Sequence, residues 1–201
     1  MTAAAASLAG ATKGRAAAQL AVLVTALAGV TLVRAAINGT TVASAFAAGA
    51  LFGATLLAAA ALASQPLQLH RPSARAIAVG IAGGAAILAI PLAVHTIAAV
   101  PGTQPQPFAI WAAVTCLVAT GEEVMLRGAI FDRARAAAGL GAAVVLTSAL
   151  FALMHVPLYG WGVVPVDFGA GLVLCGLRLL SGGIAAPAIA HTIADLATWW
   201  L

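Results

Sequence analysis

Two of the five acidic residues in this chain, Glu122 and Glu123, stand side by side within a long apolar run, and Arg127 follows four residues after the second. On a helix, Glu123 and Arg127 share a face and can pair. Glu122 points about 100° away and meets Leu126 four residues on along its own face, so its partner must come from another helix. Two later apolar runs offer partners: His155 in one, and His191 with Asp195 in the other, where a four-residue spacing puts both on one face. Carboxylates beside imidazoles can activate water by general acid–base catalysis, or pass protons along a relay.

The elements that must position these groups are membrane helices. Of the 201 residues, 63% are hydrophobic and only 7% charged, with a mean hydropathy of +1.10, far from the balance of soluble domains. Apolar runs of about 17 to 25 residues recur, the length a bilayer core of roughly 30 Å requires. The fold class expected is all-α, a polytopic bundle of about seven transmembrane helices. Residues 1–15 read as a flexible Ala-rich tail ending in Lys13 and Arg15, and 16–201 as one membrane domain. Its spans are 16–33, 42–63, 76–100, 108–133, 140–158, 166–180 and 185–200. The first is longer than the roughly 7 to 15 apolar residues of a signal-peptide core and reads as retained. Asn38-Gly39, Pro66, Pro72, the segment 101–107, Gly139, Gly160, Gly162 and Gly182-Gly183 separate the spans. Pro187 suits a first helical turn, and Pro91 should kink the third helix.

Nine Lys and Arg give a formal net charge of +4, but they form no stripe or patch, which argues against a nucleic-acid partner. They read as topology determinants. With the amino terminus cytoplasmic, Lys13, Arg15, Arg71, Arg75, Arg127, Arg133, Arg135 and Arg178 fall inside and only Arg34 outside. Trp111, Trp161, Trp199, Trp200 and Tyr159 then lie toward the opposite interface, as an aromatic belt does. Cys116 and Cys175 sit in apolar runs without metal-type spacing and read as packing residues.

A charge at the centre of a membrane helix costs roughly 2.5 to 3.5 kcal/mol on insertion scales. Glu122, His155, His191 and Asp195 fall at overlapping depths, so a bundle joining their three helices encloses one polar cluster near mid-membrane. Plainer accounts exist for each residue. Glu123 with Arg127 can be an architectural ion pair, Glu122 a protonated helix clamp, and His155, just before Pro157, an interfacial histidine if its helix ends early. Three helices converging by accident is harder to accept than any one of these. His70 reads as part of a basic loop, and His95 as an outer helix end without a carboxylate in its span. Asp132, Arg133 and Arg135 read as a solvated helix end, Arg178 as snorkelling to the cytoplasmic face, and Asp167 as a helix cap.

Together, Glu122-Glu123 with Arg127, Phe151 with His155, and His191 with Asp195 resemble, in that order, the motifs of the CPBP family of intramembrane proteases. That family includes type II CAAX prenyl endopeptidases and Abi proteins. The similarity covers roughly 108–201, including the Ser181-Gly182 turn and Ala186-Pro187. It implies hydrolysis of a peptide or membrane-protein substrate by a water that Glu122 activates, with His155 assisting and Glu123 and Arg127 positioning the motif. It further implies that His191 and residue 195, an asparagine in the prenyl endopeptidases, stabilise the oxyanion. Here residue 195 is Asp195. An ionised Asp195 would repel an oxyanion, so it must carry a proton or serve otherwise, for instance by orienting His191.

This departure keeps zinc or another divalent metal open, with Glu122, His155, His191 and Asp195 as the ligand set, beside a metal-free glutamate mechanism. The absence of a His-Glu-x-x-His helix excludes the usual soluble zinc-protease geometry. The expectation is therefore a multi-pass endopeptidase of a bacterial plasma membrane, its cavity open to the cytoplasmic half of the bilayer. A non-proteolytic Abi or immunity scaffold and a proton-coupled transporter stand as alternatives. Prenylated CAAX peptides are the eukaryotic relatives' substrates, whereas the Ala-rich composition points to a bacterial source without them.

Overall fold

In hydrocarbon every backbone N–H and C=O must be satisfied within its own segment, and a chain this apolar answers with helix throughout. The computed structural model describes residues 3–39, 41–63, 72–93 and 107–200, with side chains for residues 12–89 and 107–200 among them. Seven helices run through the described residues, and no strand is found among them. They are α1 (Ala3–Ile37), α2 (Val42–Ala63), α3 (Ala74–Ala93), α4 (Phe108–Ala138), α5 (Leu140–Tyr159), α6 (Val164–Ser181) and α7 (Ala185–Ala197). Five helical stretches, including most of α1 and α6 with its leading turn, are long and apolar enough to cross a bilayer. The molecule is an integral, multi-pass membrane protein.

Helix α1 begins at Ala3, inside the stretch that the sequence assigns to a tail. His70, Arg71 and His95 lie outside the described residues. Turns fall at the expected glycines: Gly139, Gly160 and Gly182 have φ of +91°, +80° and +75°, backbone that only glycine adopts readily. Helix α5 continues through Pro157 to Tyr159, which sets aside an early end before His155.

Small residues bring the helices close where lipid offers no hydrophobic drive for association. A Cβ on Gly121 would lie 2.8 Å from the Gly53 carbonyl oxygen, so α2 and α4 touch backbone to backbone beside Glu122. Gly80 and Gly84 of α3 likewise meet Ile189 and Ile193 of α7, and the ascending order in both makes these two helices parallel. Between Val124 and Ile130, α4 widens into π-helical turns, a form most often kept at functional sites. Every residue from Gly121 to Arg127 is buried there.

The two ends of the bundle differ in charge. Lys13, Arg15, Arg75, Arg133, Arg135 and Arg178 lie toward the end that holds the starts of α1, α3, α5 and α7. Arg133 Nη2 donates to the Ala63 carbonyl at 2.8 Å, tying the end of α4 to the end of α2. Arg178 donates to Asp132 at 2.6 Å and lies over the Phe131 ring at 4.3 Å, so this pair joins α6 to α4 where free snorkelling and a solvated helix end were expected. At the opposite end, Phe108, Trp111, Trp199 and Trp200 stack in one aromatic cluster, with Phe108 and Trp199 5.1 Å apart.

Candidate active site

Arg127 and Glu123 form the buried base of the site, both fully inaccessible to solvent at 0% exposure. Arg127 Nη1 donates to Glu123 Oε1 at 2.7 Å, and Nη2 donates to the Gly171 carbonyl of α6 at 3.2 Å. Its guanidinium also lies 4.7 Å from the centre of the Phe151 ring. One cation thus ties α4, α5 and α6 together. The pairing expected from the four-residue spacing is present, and it survives the π-helical widening.

Glu123 Oε1 has a second partner, His191 Nδ1 of α7, at 3.0 Å. A carboxylate paired with a guanidinium can only accept, so Nδ1 carries a proton, and Nε2 is an acceptor whenever the ring is neutral. Nε2 faces Glu122 Oε2 at 3.7 Å and Asp195 Oδ2 at 3.5 Å. The His191 ring is wedged against Phe151, 5.2 Å between centroids and nearly perpendicular. Its orientation is therefore set from three sides.

Glu122, 1% exposed, lies between His191 and a residue of α1, Arg34, whose Nη1 is 3.6 Å from Glu122 Oε1. Neither contact is short enough for a hydrogen bond, and Oε1 has none among the described residues. The carboxylate keeps acceptor capacity for a molecule entering beside it.

His155 lies on the wall of the same cavity as Glu122. Its Nδ1 donates to the Phe151 carbonyl at 2.8 Å and lies 3.4 Å from Asp167 Oδ2 on α6. No hydrogen bond or ion pair joins it to Glu122 among the described residues. Asp167 makes no capping hydrogen bond among the described residues, although the sequence reads it as a cap. It is the acid that faces His155.

Glu122, His155, Asp167, His191 and Asp195 line one cavity of about 680 Å³, with Glu123 and Arg127 sealed off from it. Arg34, Asn38 and Thr41 come from the α1–α2 junction, Trp111 and Glu122 from α4, and His155 and Tyr159 from α5. Asp167 comes from α6, and His191 and Asp195 from α7. All except the deep Glu122 and His191 belong to the end of the bundle opposite the basic residues, and the cavity opens there. Two expectations therefore exclude each other: if the basic end is cytoplasmic, the cavity does not open to the cytoplasm.

The structure brings Glu122, Glu123, Arg127, His191 and Asp195 into one connected group and sets His155 on the cavity wall with its own acid. Sequence reasoning missed Arg34 and Asp167. Both are charged residues inside apolar helices, the same observation that singled out Glu122, but one was absorbed by the topology count and the other by a cap. As to a metal, no set of three or more His, Cys, Asp or Glu side chains is placed to hold an ion among the described residues. The four candidate ligands divide instead: Glu122 and Asp195 face His191, while His155 faces Asp167.

A family model described as type II CAAX prenyl endopeptidase Rce1-like matches residues 104–197. That range takes in all six residues singled out from the sequence, and Asp167, but not Arg34. No curated protein and no solved structure matches the chain.

Proposed function

Because this chain belongs, through residues 104–197, to the CPBP family of CAAX-type intramembrane proteases, we propose that it hydrolyses peptide bonds with Glu122 as the general base. The observation that carries this reading is the setting of Glu122, buried at the base of a cavity yet without a hydrogen bond to satisfy Oε1. A carboxylate so placed can take a proton from water.

In this mechanism Glu122 removes a proton as the water oxygen attacks the carbonyl carbon, and the π electrons move onto the carbonyl oxygen. Collapse breaks the C–N bond, and the proton held by Glu122 passes to the leaving nitrogen. His191, locked by Glu123 through Nδ1, presents Nε2 to the same side and can hold the water or relay the proton. Asp195, 3.5 Å from Nε2, accompanies a protonated His191, which fits the orienting role better than contact with an oxyanion. Glu123 and Arg127 are positioning residues. His155 and Asp167 form a second acid–imidazole pair on the wall, suited to orienting the substrate chain. Every group in this scheme is a protein side chain, and no step runs through a metal.

The substrate in this reading is a peptide or membrane-protein segment that reaches the cavity from the bilayer or its interface. Among the described residues, six basic ones at one end against Arg34 at the other support a cytoplasmic amino terminus. The cavity then faces the extracytoplasmic side, which replaces the cytoplasmic opening expected from the sequence.

The test is cleavage of quenched fluorescent peptides by purified protein in liposomes, comparing wild type with Glu122→Gln, His191→Ala and His155→Ala. Loss in the first two and reduction in the third is expected. Retained cleavage in all three overturns the mechanism. Metal content of the same preparation, measured by mass spectrometry, checks the zinc alternative: stoichiometric zinc lost in Glu122→Gln would overturn the metal-free form.

A further inference from the structure

With His191 engaged on the water and its proton, hydrolysis by Glu122 leaves the oxyanion without a donor. The attacked carbonyl oxygen gains a negative charge and needs a donor 2.7 to 3.1 Å from where it develops. Asp195 offers only like charge when ionised, and its Oδ2 is directed to His191 at 3.5 Å. Arg127 is sealed beneath Glu123 at 0% exposure and cannot reach a bound peptide.

Two Arg–Glu pairs on adjacent carboxylates show the contrast. Arg127 and Glu123 close to 2.7 Å, the distance of a charge-assisted hydrogen bond. Arg34 stops 3.6 Å from Glu122, although the two line the same cavity. Its guanidinium is held instead against the face of the Phe52 ring, 4.5 Å from the centroid. It makes no hydrogen bond among the described residues, so its N–H groups stay available. An arginine whose only task was to neutralise Glu122 would close on it.

We propose that Arg34 supplies the oxyanion donor in this chain, taking from α1 the role that an ionised Asp195 cannot fill. The inference rests on the hydrolytic reading of Glu122. A water held by Glu122 and a carbonyl oxygen on its other side are the two things an attacking geometry must bring together, and Arg34 flanks that carboxylate. Packing over the Phe52 ring restrains the guanidinium, so less ordering remains when the charge develops. Arg34 lies outside 104–197, so each half of the chain gives a catalytic group to one site.

Arg34→Gln and Arg34→Lys decide the matter, assayed with the best-cleaved peptide of a quenched fluorescent library and with the phosphinate analogue of that peptide, whose anionic tetrahedral group mimics the intermediate. Arg34→Gln is expected to lower kcat about 10²- to 10³-fold with KM changed only a few-fold, as loss of one oxyanion donor does. Arg34→Lys, which keeps the charge, should recover part of this. Across the three proteins the phosphinate inhibition constant should rise in proportion to the fall in kcat/KM. Unfolding temperatures measured alongside separate these effects from misfolding, and Arg34→Lys keeps the test open if Arg34→Gln does not fold. Undiminished kcat in Arg34→Gln, or lower kcat with unchanged phosphinate binding, overturns the proposal while leaving Glu122 as base. Absence of cleavage by wild type across the library overturns the hydrolytic reading itself.

Discussion

Glu123 Oε1 is shared between Arg127 Nη1 at 2.7 Å and His191 Nδ1 at 3.0 Å, so one buried oxygen fixes both the ion pair of α4 and the tautomer of the imidazole on α7. Adjacent glutamates thus have opposite duties, Glu123 structural and Glu122 chemical. Glu123→Gln is expected to destabilise the fold by about 3 to 5 kcal/mol, because it leaves Arg127 buried without its counter-charge. Glu122→Gln should unfold near the wild-type temperature yet lose cleavage. Thermal unfolding of both variants in one detergent checks this, and equal destabilisation would remove the distinction.

Gly121 adjoins Glu122 and carries the contact between α4 and α2. In Gly121→Ala the new methyl would lie 2.8 Å from the Gly53 carbonyl oxygen, backbone that cannot turn aside. The helices must part, at a cost of about 1 to 3 kcal/mol, and Glu122 shifts with them. Lower stability together with lower turnover is expected. Gly176→Ala, where nothing lies within 4 Å of the new carbon, serves as the control and should change neither.

The 3.4 Å contact between His155 and Asp167 implies that the two act as a unit. Asp167→Asn and His155→Ala should each lower cleavage, and the double variant should be little worse than the more impaired single one. Additive losses in that mutant cycle would show that the residues act independently.

Asn38 and Ala136 are both exposed and lie at opposite ends of the bundle. In a background without Cys116 and Cys175, Asn38→Cys should react with an impermeant maleimide in intact cells, and Ala136→Cys only after permeabilisation. The reverse pattern would place the cavity on the cytoplasmic side and overturn the orientation argued from the basic residues.

Composition and spacing alone determined much of this protein. Hydropathy required membrane helices because backbone polar groups have no other partner in lipid, and the glycine breaks fell where positive φ is needed. The four-residue spacing of Glu123 and Arg127, and of His191 and Asp195, foretold which side chains meet, since helical periodicity is a local property. Contacts between helices are not local. Nothing in the spacing could say that Glu123 would hold His191, that Asp167 would face His155, or that Arg34, counted as a topology charge, would stand beside Glu122. Those pairings depend on which faces the small-residue contacts press together, and on which end of the bundle the cavity opens, and only the packed structure decides either.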